Sequence, residues 1–92
     1  MISKEVSATL GFAVREAKRR RHEYVSVEHV LFAILHDNEG SEILQNCGGD
    51  PQELKQNLEK FFKEKIEIIP DGSEYVLQQT IGFQRVIQRA VN

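Results

Sequence analysis

The sequence predicts an all-α fold, a small bundle of about five helices. Three observations point there. Apolar residues recur at 3–4-residue spacing in separate stretches of the chain. The main stretches are each preceded by a residue that caps helices well: Ser3, Ser26, Asp50 and Thr80. One stretch, Val27 to Leu35, is apolar nearly all round, the pattern of a helix contacted on several sides at the centre of a domain.

Composition sets the class. A chain of 92 residues allows one small domain. Hydrophobic content of 40% and charged content of 28% are ordinary for a globular protein. A domain of this size buries roughly 60–65% of its unfolded surface, so its stability margin is thin. A net charge of -2 does not favour nucleic acid or acidic lipid. No apolar run approaches the ~20 residues that span a bilayer, and the N-terminus lacks the basic-then-apolar order of a secretory signal. The single cysteine, Cys47, has no internal disulfide partner, which fits a reducing compartment. The expected location is cytoplasmic.

Ser3 caps a first helix from Lys4 to Arg21, with Ile2, Val6, Leu10, Ala13, Val14 and Ala17 as its apolar stripe. Lys18 to Arg21 fall in its last turn, at the negative end of the helix dipole. A turn around Glu23 to Val25 leads to Ser26, whose hydroxyl is placed to cap a free amide of the second helix, with Glu28 in the first turn. Asp37 to Gly40 reads as a turn. Ser41 to Cys47 reads as a short third helix with Ile43 and Leu44 inward, stopped by a left-handed Gly48.

Asp50-Pro51-Gln52-Glu53 is the clearest helix start: Asp50 caps and Pro51 takes the first helical position. Leu54, Leu58, Phe61 and Phe62 give this fourth helix its apolar face. Glu67 to Gln79 reads as a loop with a few extended residues at most. Thr80 caps a last helix with the stripe Phe83, Val86, Ile87, Ala90 and Val91, still running at Asn92. Leu10, Ala13, Val14 and Ala17 share their spacing with Phe83, Val86, Ile87 and Ala90, so the last helix reads either as the start of a second copy of the first unit or as a chance recurrence.

Most routes to chemistry are poorly supported. No P-loop is present to cradle nucleotide phosphates, so ATP hydrolysis is not expected, and no cofactor is called for. Cys47 with His22, His29 or His36 is formally a nucleophile–base set. Its place beside Leu44 in an apolar pattern favours a buried or half-buried structural thiol instead. His22, Glu23, Glu28 and His29 form a weak candidate metal site that lacks the H-E-x-x-H spacing, so no metal ligand is assigned. The basic run Lys18 to Arg21 is isolated, and the second helix is too apolar to lie in a DNA groove. What remains is binding. Glu23 and Glu28 lie at adjoining helix ends and can present carboxylates on one surface, or they serve only as helix-terminus charges.

RHEYVSVEHVLFAIL, Cys47 after a short helix, DPQELKQNLEKFF and TIGFQRVIQRAV together resemble the N-terminal domain of the Clp ATPases, in order and over nearly the whole chain. The likeness is strongest to ClpA-type members. The resemblance implies an all-helical domain of two pseudo-repeated halves. This chain would then hold the first repeat over 1–66, a loop over 67–79 and the start of the second repeat over 80–92. It implies a non-catalytic docking domain of an unfoldase that feeds the ClpP peptidase through AAA+ ATPase modules. It also implies that a ClpS-like adaptor docks on Glu23, Val27, Glu28, Thr80 and Arg85.

A missing second half would leave the apolar face of Thr80 to Val91, and part of Val27 to Leu35, without partners. Fully burying one such side chain is worth ~1.5–3 kcal/mol, so the fragment is expected to dimerise, swap elements or rearrange. The alternative is a stand-alone helical dimerisation or regulatory module that works through this apolar face. A metal-dependent or cysteine enzyme is a third class.

Overall fold

The computed structural model describes residues 3–91; Ile2 of the first stripe and the terminal Asn92 lie outside them. The helices are α1 (Lys4–Arg19), α2 (Val27–His36), α3 (Asn38–Asn46), α4 (Pro51–Lys65) and α5 (Ile81–Val91). A parallel pair of two-residue strands, β1 (Tyr24–Val25) and β2 (Gln78–Gln79), and an isolated antiparallel bridge between His22 and Ile68 add to the all-α plan among the described residues.

The apolar character of α2 follows from its position between two clusters. Val30 and Ala33 join Leu10, Ala13 and Ala17 of α1, Val25 of β1 and Phe83 of α5. Phe32 and Leu35 point the other way and join Leu58 and Phe62 of α4. A helix with a core on each side has no room for a polar face. Of its apolar residues, only Val27 and Ile34 reach solvent substantially, at 42% and 40% exposure.

The caps explain where the helices stop. Ser3 Oγ accepts from the Val6 amide and opens α1. α1 ends two residues earlier than its sequence pattern suggests, because Arg21 adopts a left-handed conformation, φ 54°. The His22 amide then donates to Ala17 and the Arg21 amide to Lys18, a Schellman stop built without glycine. The Arg21 side chain offsets the backbone strain: its guanidinium donates to the carbonyls of Ile69, Pro70 and Ser73 and lies over the Tyr75 ring. Asp50 accepts from the Gln52 and Glu53 amides, with Pro51 first in α4. Thr80 Oγ1 accepts from the Phe83 amide at the start of α5.

Three expectations need correcting. Asp37 to Gly40 is not a separate turn: Asp37 ends α2 and its side chain caps α3 by accepting from the Gly40 amide. α3 therefore starts earlier and lies on the surface, so Ile43 is 58% exposed rather than inward. Cys47 is likewise exposed, not buried, because it follows the outer face of a helix with no buried residue of its own. The left-handed stop at Gly48 is present, φ 88°.

The tight α2–α3 corner makes Gly40 sensitive. A Cβ there would sit 2.5 Å from the Ile34 carbonyl oxygen and 2.7 Å from Ile34 Cγ2. A backbone oxygen cannot step aside cheaply. Gly40→Ala is expected to destabilise the fold by about 1–3 kcal/mol in a urea titration, although alanine is the better helix former.

The segment from Glu67 to Gln79 is a loop only in part. Glu23 donates to Glu67, and Ile69 donates to Arg21. From the other end of the loop, Gln78 donates to Glu23 and Thr80 donates to Val25. Residues 21–25 are thus flanked by the two ends of one loop. Tyr75 ties its middle to α1 and the turn after it by donating to the carbonyls of Ala17, 3.4 Å away, and His22, 2.8 Å away.

Candidate functional site

The short segment between α1 and α2 folds around two buried imidazoles. His22 and His29 are 1% and 0% exposed. The Ser26 amide donates to His29 Nδ1 at 3.0 Å. Since a backbone amide only donates, His29 Nδ1 carries no proton and its Nε2 does. That Nε2–H donates to His22 Nδ1, 2.8 Å away. The Ser26 hydroxyl also meets His29 Nδ1, at 3.0 Å. Ser26 and His29 thus form a capping box, in which the His29 ring takes the place that a Glu usually has. Phe62 stacks on His29 at 4.6 Å between ring centroids. Arg20 covers the cluster, its guanidinium 5.2 Å from the Phe32 and Phe62 centroids. It is held by both Glu59 carboxylate oxygens and by Glu16.

These surroundings set the charges. Burial pushes the His29 pKa down to about 4, with the neighbouring His22 and Arg20 acting the same way. Burial also lowers that of His22. The Arg19 hydrogen bonds, aided by Arg20, hold the Glu16 carboxyl down at about 2. The ring nitrogens that join His22 to His29, and the other nitrogen of His29, are engaged within the core, so the four residues weighed as a metal site do not converge on one point in solvent.

Above this base the carboxylates face outward. Glu23, Glu28 and Thr80 line one cleft of about 350 Å³, together with Tyr24, Ser26, Phe61, Lys65, Ile66 and Glu67. Pairing of residues 78–80 with 23–25 carries Thr80 to the same edge as the two acids. Val27 is exposed beside the cleft, and a Cβ added at Gly82 would lie 3.0 Å from its Cγ2, so it packs against the first turn of α5. Arg85 is exposed on α5 and does not line the cleft. Of the five residues expected at a docking site, three share the cleft, one flanks it and one stands apart.

Sequence reasoning did not place Phe61 and Lys65 at this cleft, which both line. Phe61 reads as one more residue of an apolar stripe, while Phe62, next to it, takes the core position. It also missed the imidazole pair. His22 and His29 are seven residues apart, which would be two turns of a helix, but β1 and the start of α2 lie between them, so the spacing gives no guide to their meeting.

A second surface feature is apolar. Val6 and Leu10 of α1, Val30 and Ile34 of α2 and Val86 of α5 line a groove of about 230 Å³ with Glu5 and Thr9. No helix among the described residues is long and apolar enough to cross a membrane.

A profile of the Clp repeat (R) N-terminal domain matches residues 1–92. The chain is 33% identical over 91 residues to a ClpA homolog protein of Fuscovulum blasticum, covering 96% of this chain and 11% of that protein. It is 31% identical over 79 residues to the ATP-dependent Clp protease ATP-binding subunit ClpA homolog of Cyanidium caldarium, covering 84% and 8%. It is 30% identical over 61 residues to the chloroplastic chaperone protein ClpC1 of Arabidopsis thaliana, covering 64% and 7%. The chain thus spans about a tenth or less of the length of these relatives. With five helices as expected and a match from end to end, the chain belongs to the Clp repeat N-terminal domain family.

Proposed function

We propose that this chain is a non-catalytic docking domain of a Clp unfoldase, and that it binds a ClpS-like adaptor through the cleft of Glu23, Glu28 and Thr80. The observation that carries this reading is the convergence of two outward carboxylates and a helix-capping threonine on one edge, although Thr80 lies far along the chain from the acids. Carboxylates at a cleft rim accept hydrogen bonds and cationic side chains from a partner, and set encounter rate and register more than raw affinity. Val27 adds apolar contact at the margin, and Arg85 meets a partner broad enough to cross onto α5. A tether to AAA+ modules raises the effective concentration of cargo near the pore that feeds ClpP. Residues 1–66 then form the first repeat, 67–79 the connecting loop and 80–92 the start of the second. The working compartment on this reading is the cytoplasm.

A second reading rests on the apolar groove between α1, α2 and α5. Here the chain pairs with a second copy of itself, or exchanges α5, and acts as a dimerisation or regulatory module. Calorimetric titration with a ClpS-like adaptor separates the two. Binding retained by Val86→Asp and Ile87→Asp supports the acidic cleft. Binding lost in these variants, with the fold intact by circular dichroism, supports the apolar face.

A further inference from the structure

The hydrogen bond between His22 and His29 closes a loop over residues 23–28, and that loop carries both cleft carboxylates together with Tyr24 and Ser26. The relay runs in one direction. The Ser26 amide donates to His29, and His29 donates to His22. Each acceptor nitrogen has a donor already aimed at it. A proton added to His29 Nδ1 would face the Ser26 N–H, and one added to His22 Nδ1 would face the His29 N–H. Either addition breaks a buried bond that fixes the turn, and the stacked Phe62 leaves the rings little room to turn away.

We propose that His22 and His29 are the positioning residues of the docking cleft, and that the cleft keeps its shape only while both imidazoles are neutral. This inference rests on the docking reading given above for its binding consequence, though not for its structural one. The charged and titratable groups around the pair do not replace the relay. Arg20 from α1 covers the rings and is itself held by Glu16 and Glu59. Tyr75 from the 67–79 loop donates to the His22 carbonyl rather than to its ring. Glu23 and Glu28, on the segment itself, line the cleft with Lys65 of α4. The neutral state is the one favoured at ordinary pH, since burial lowers both pKa values.

Glutamine can reproduce the His29 pattern, with a side-chain oxygen for the Ser26 amide and an NH₂ for His22, whereas leucine offers neither. On the 92-residue chain, His29→Gln is therefore expected to keep adaptor affinity within about threefold, and His29→Leu to lower it at least about tenfold with helicity retained. In parallel, amide and imidazole resonances of the wild-type chain are followed by NMR from neutral to acid pH without adaptor. The Ser26 and Glu28 amides are expected to shift together with the His29 ring and to keep their neutral-pH positions in His29→Gln over the same range. Equal affinity of His29→Leu and wild type, or a His29 ring that titrates while the Ser26 amide stays still, overturns the inference. If His29→Leu does not fold, the amide titration decides alone. Failure of the wild-type chain to bind adaptor at neutral pH counts against the docking reading and leaves the titration as the test of positioning.

Discussion

Phe62→Ala is expected to lower the unfolding free energy by about 3–5 kcal/mol, the usual range for deleting a fully buried phenyl ring. Phe62 is 1% exposed and sits in the second core with Phe32, Leu35 and Leu58. It stacks on His29, meets His22 and Phe32 at 5.3 and 5.4 Å, and lies under Arg20. The cavity left by its removal would be lined by two imidazoles and a guanidinium, which makes collapse around it poor. Domains of this size are stable by only ~5–15 kcal/mol, so the loss takes a large share of the total. The thermal midpoint should fall by roughly 15 °C or more. Val76→Ala, at a residue 70% exposed, is the control and should change stability by less than about 0.5 kcal/mol. A fall for Phe62→Ala no larger than that control would mean that this cluster does not hold α2 to α4.

Acid should weaken the fold in a defined window. His29 has a folded pKa of about 4 against 6.5 unfolded. Between these values the unfolded chain binds more protons than the folded one, so stability rises with pH and is lost as pH falls. At about 1.4 kcal/mol per pH unit, the full loss over this window amounts to roughly 3 kcal/mol at most. His22, also lowered by burial, acts in the same direction. Glu16 works in a lower window. Its folded pKa of about 2 lies below the ordinary 4.5, so its contribution is present above 4.5 and disappears as pH drops through 2. Urea unfolding at a series of pH values should thus show decline beginning below pH 6.5, before the carboxylates titrate. In His29→Gln the early decline should shrink and the later one remain. Constant stability from neutral pH down to 4 would contradict a buried neutral His29.

Legibility in the sequence follows the range of the interactions. Asp50-Pro51 and Ser3 announce helix starts because their partners lie within three residues. The central position of α2 is legible because an all-round apolar helix has few other places to go. The stop of α1 at Arg21 is not, because a left-handed arginine is tolerated only where a distant loop supplies the carbonyls of Ile69, Pro70 and Ser73. The exposure of Ile43 and Cys47 is equally hidden: their spacing is amphipathic, but no element packs over that side of α3. At the site, Glu23 and Glu28 are visible as helix-end charges. Their meeting with Thr80 depends on a pairing of two-residue strands too short to leave a periodic trace. That His29 completes the capping box of Ser26 depends on which of its nitrogens carries the proton, and the residue name does not reveal that.

Docking through the acidic cleft is tested most directly by measuring adaptor affinity and unfolding free energy on the same Glu23→Lys, Glu28→Lys double variant. Both side chains are half-buried at the rim and outside the two core clusters, so stability should change by no more than about 1 kcal/mol, chiefly through the charge lost from the first turn of α2. Reversed charge at a complementary interface should weaken ClpS-like adaptor binding at least about tenfold and remove most of its salt dependence. An affinity equal to that of the wild-type chain, in a variant that remains folded, would contradict the assignment of this cleft as the docking site.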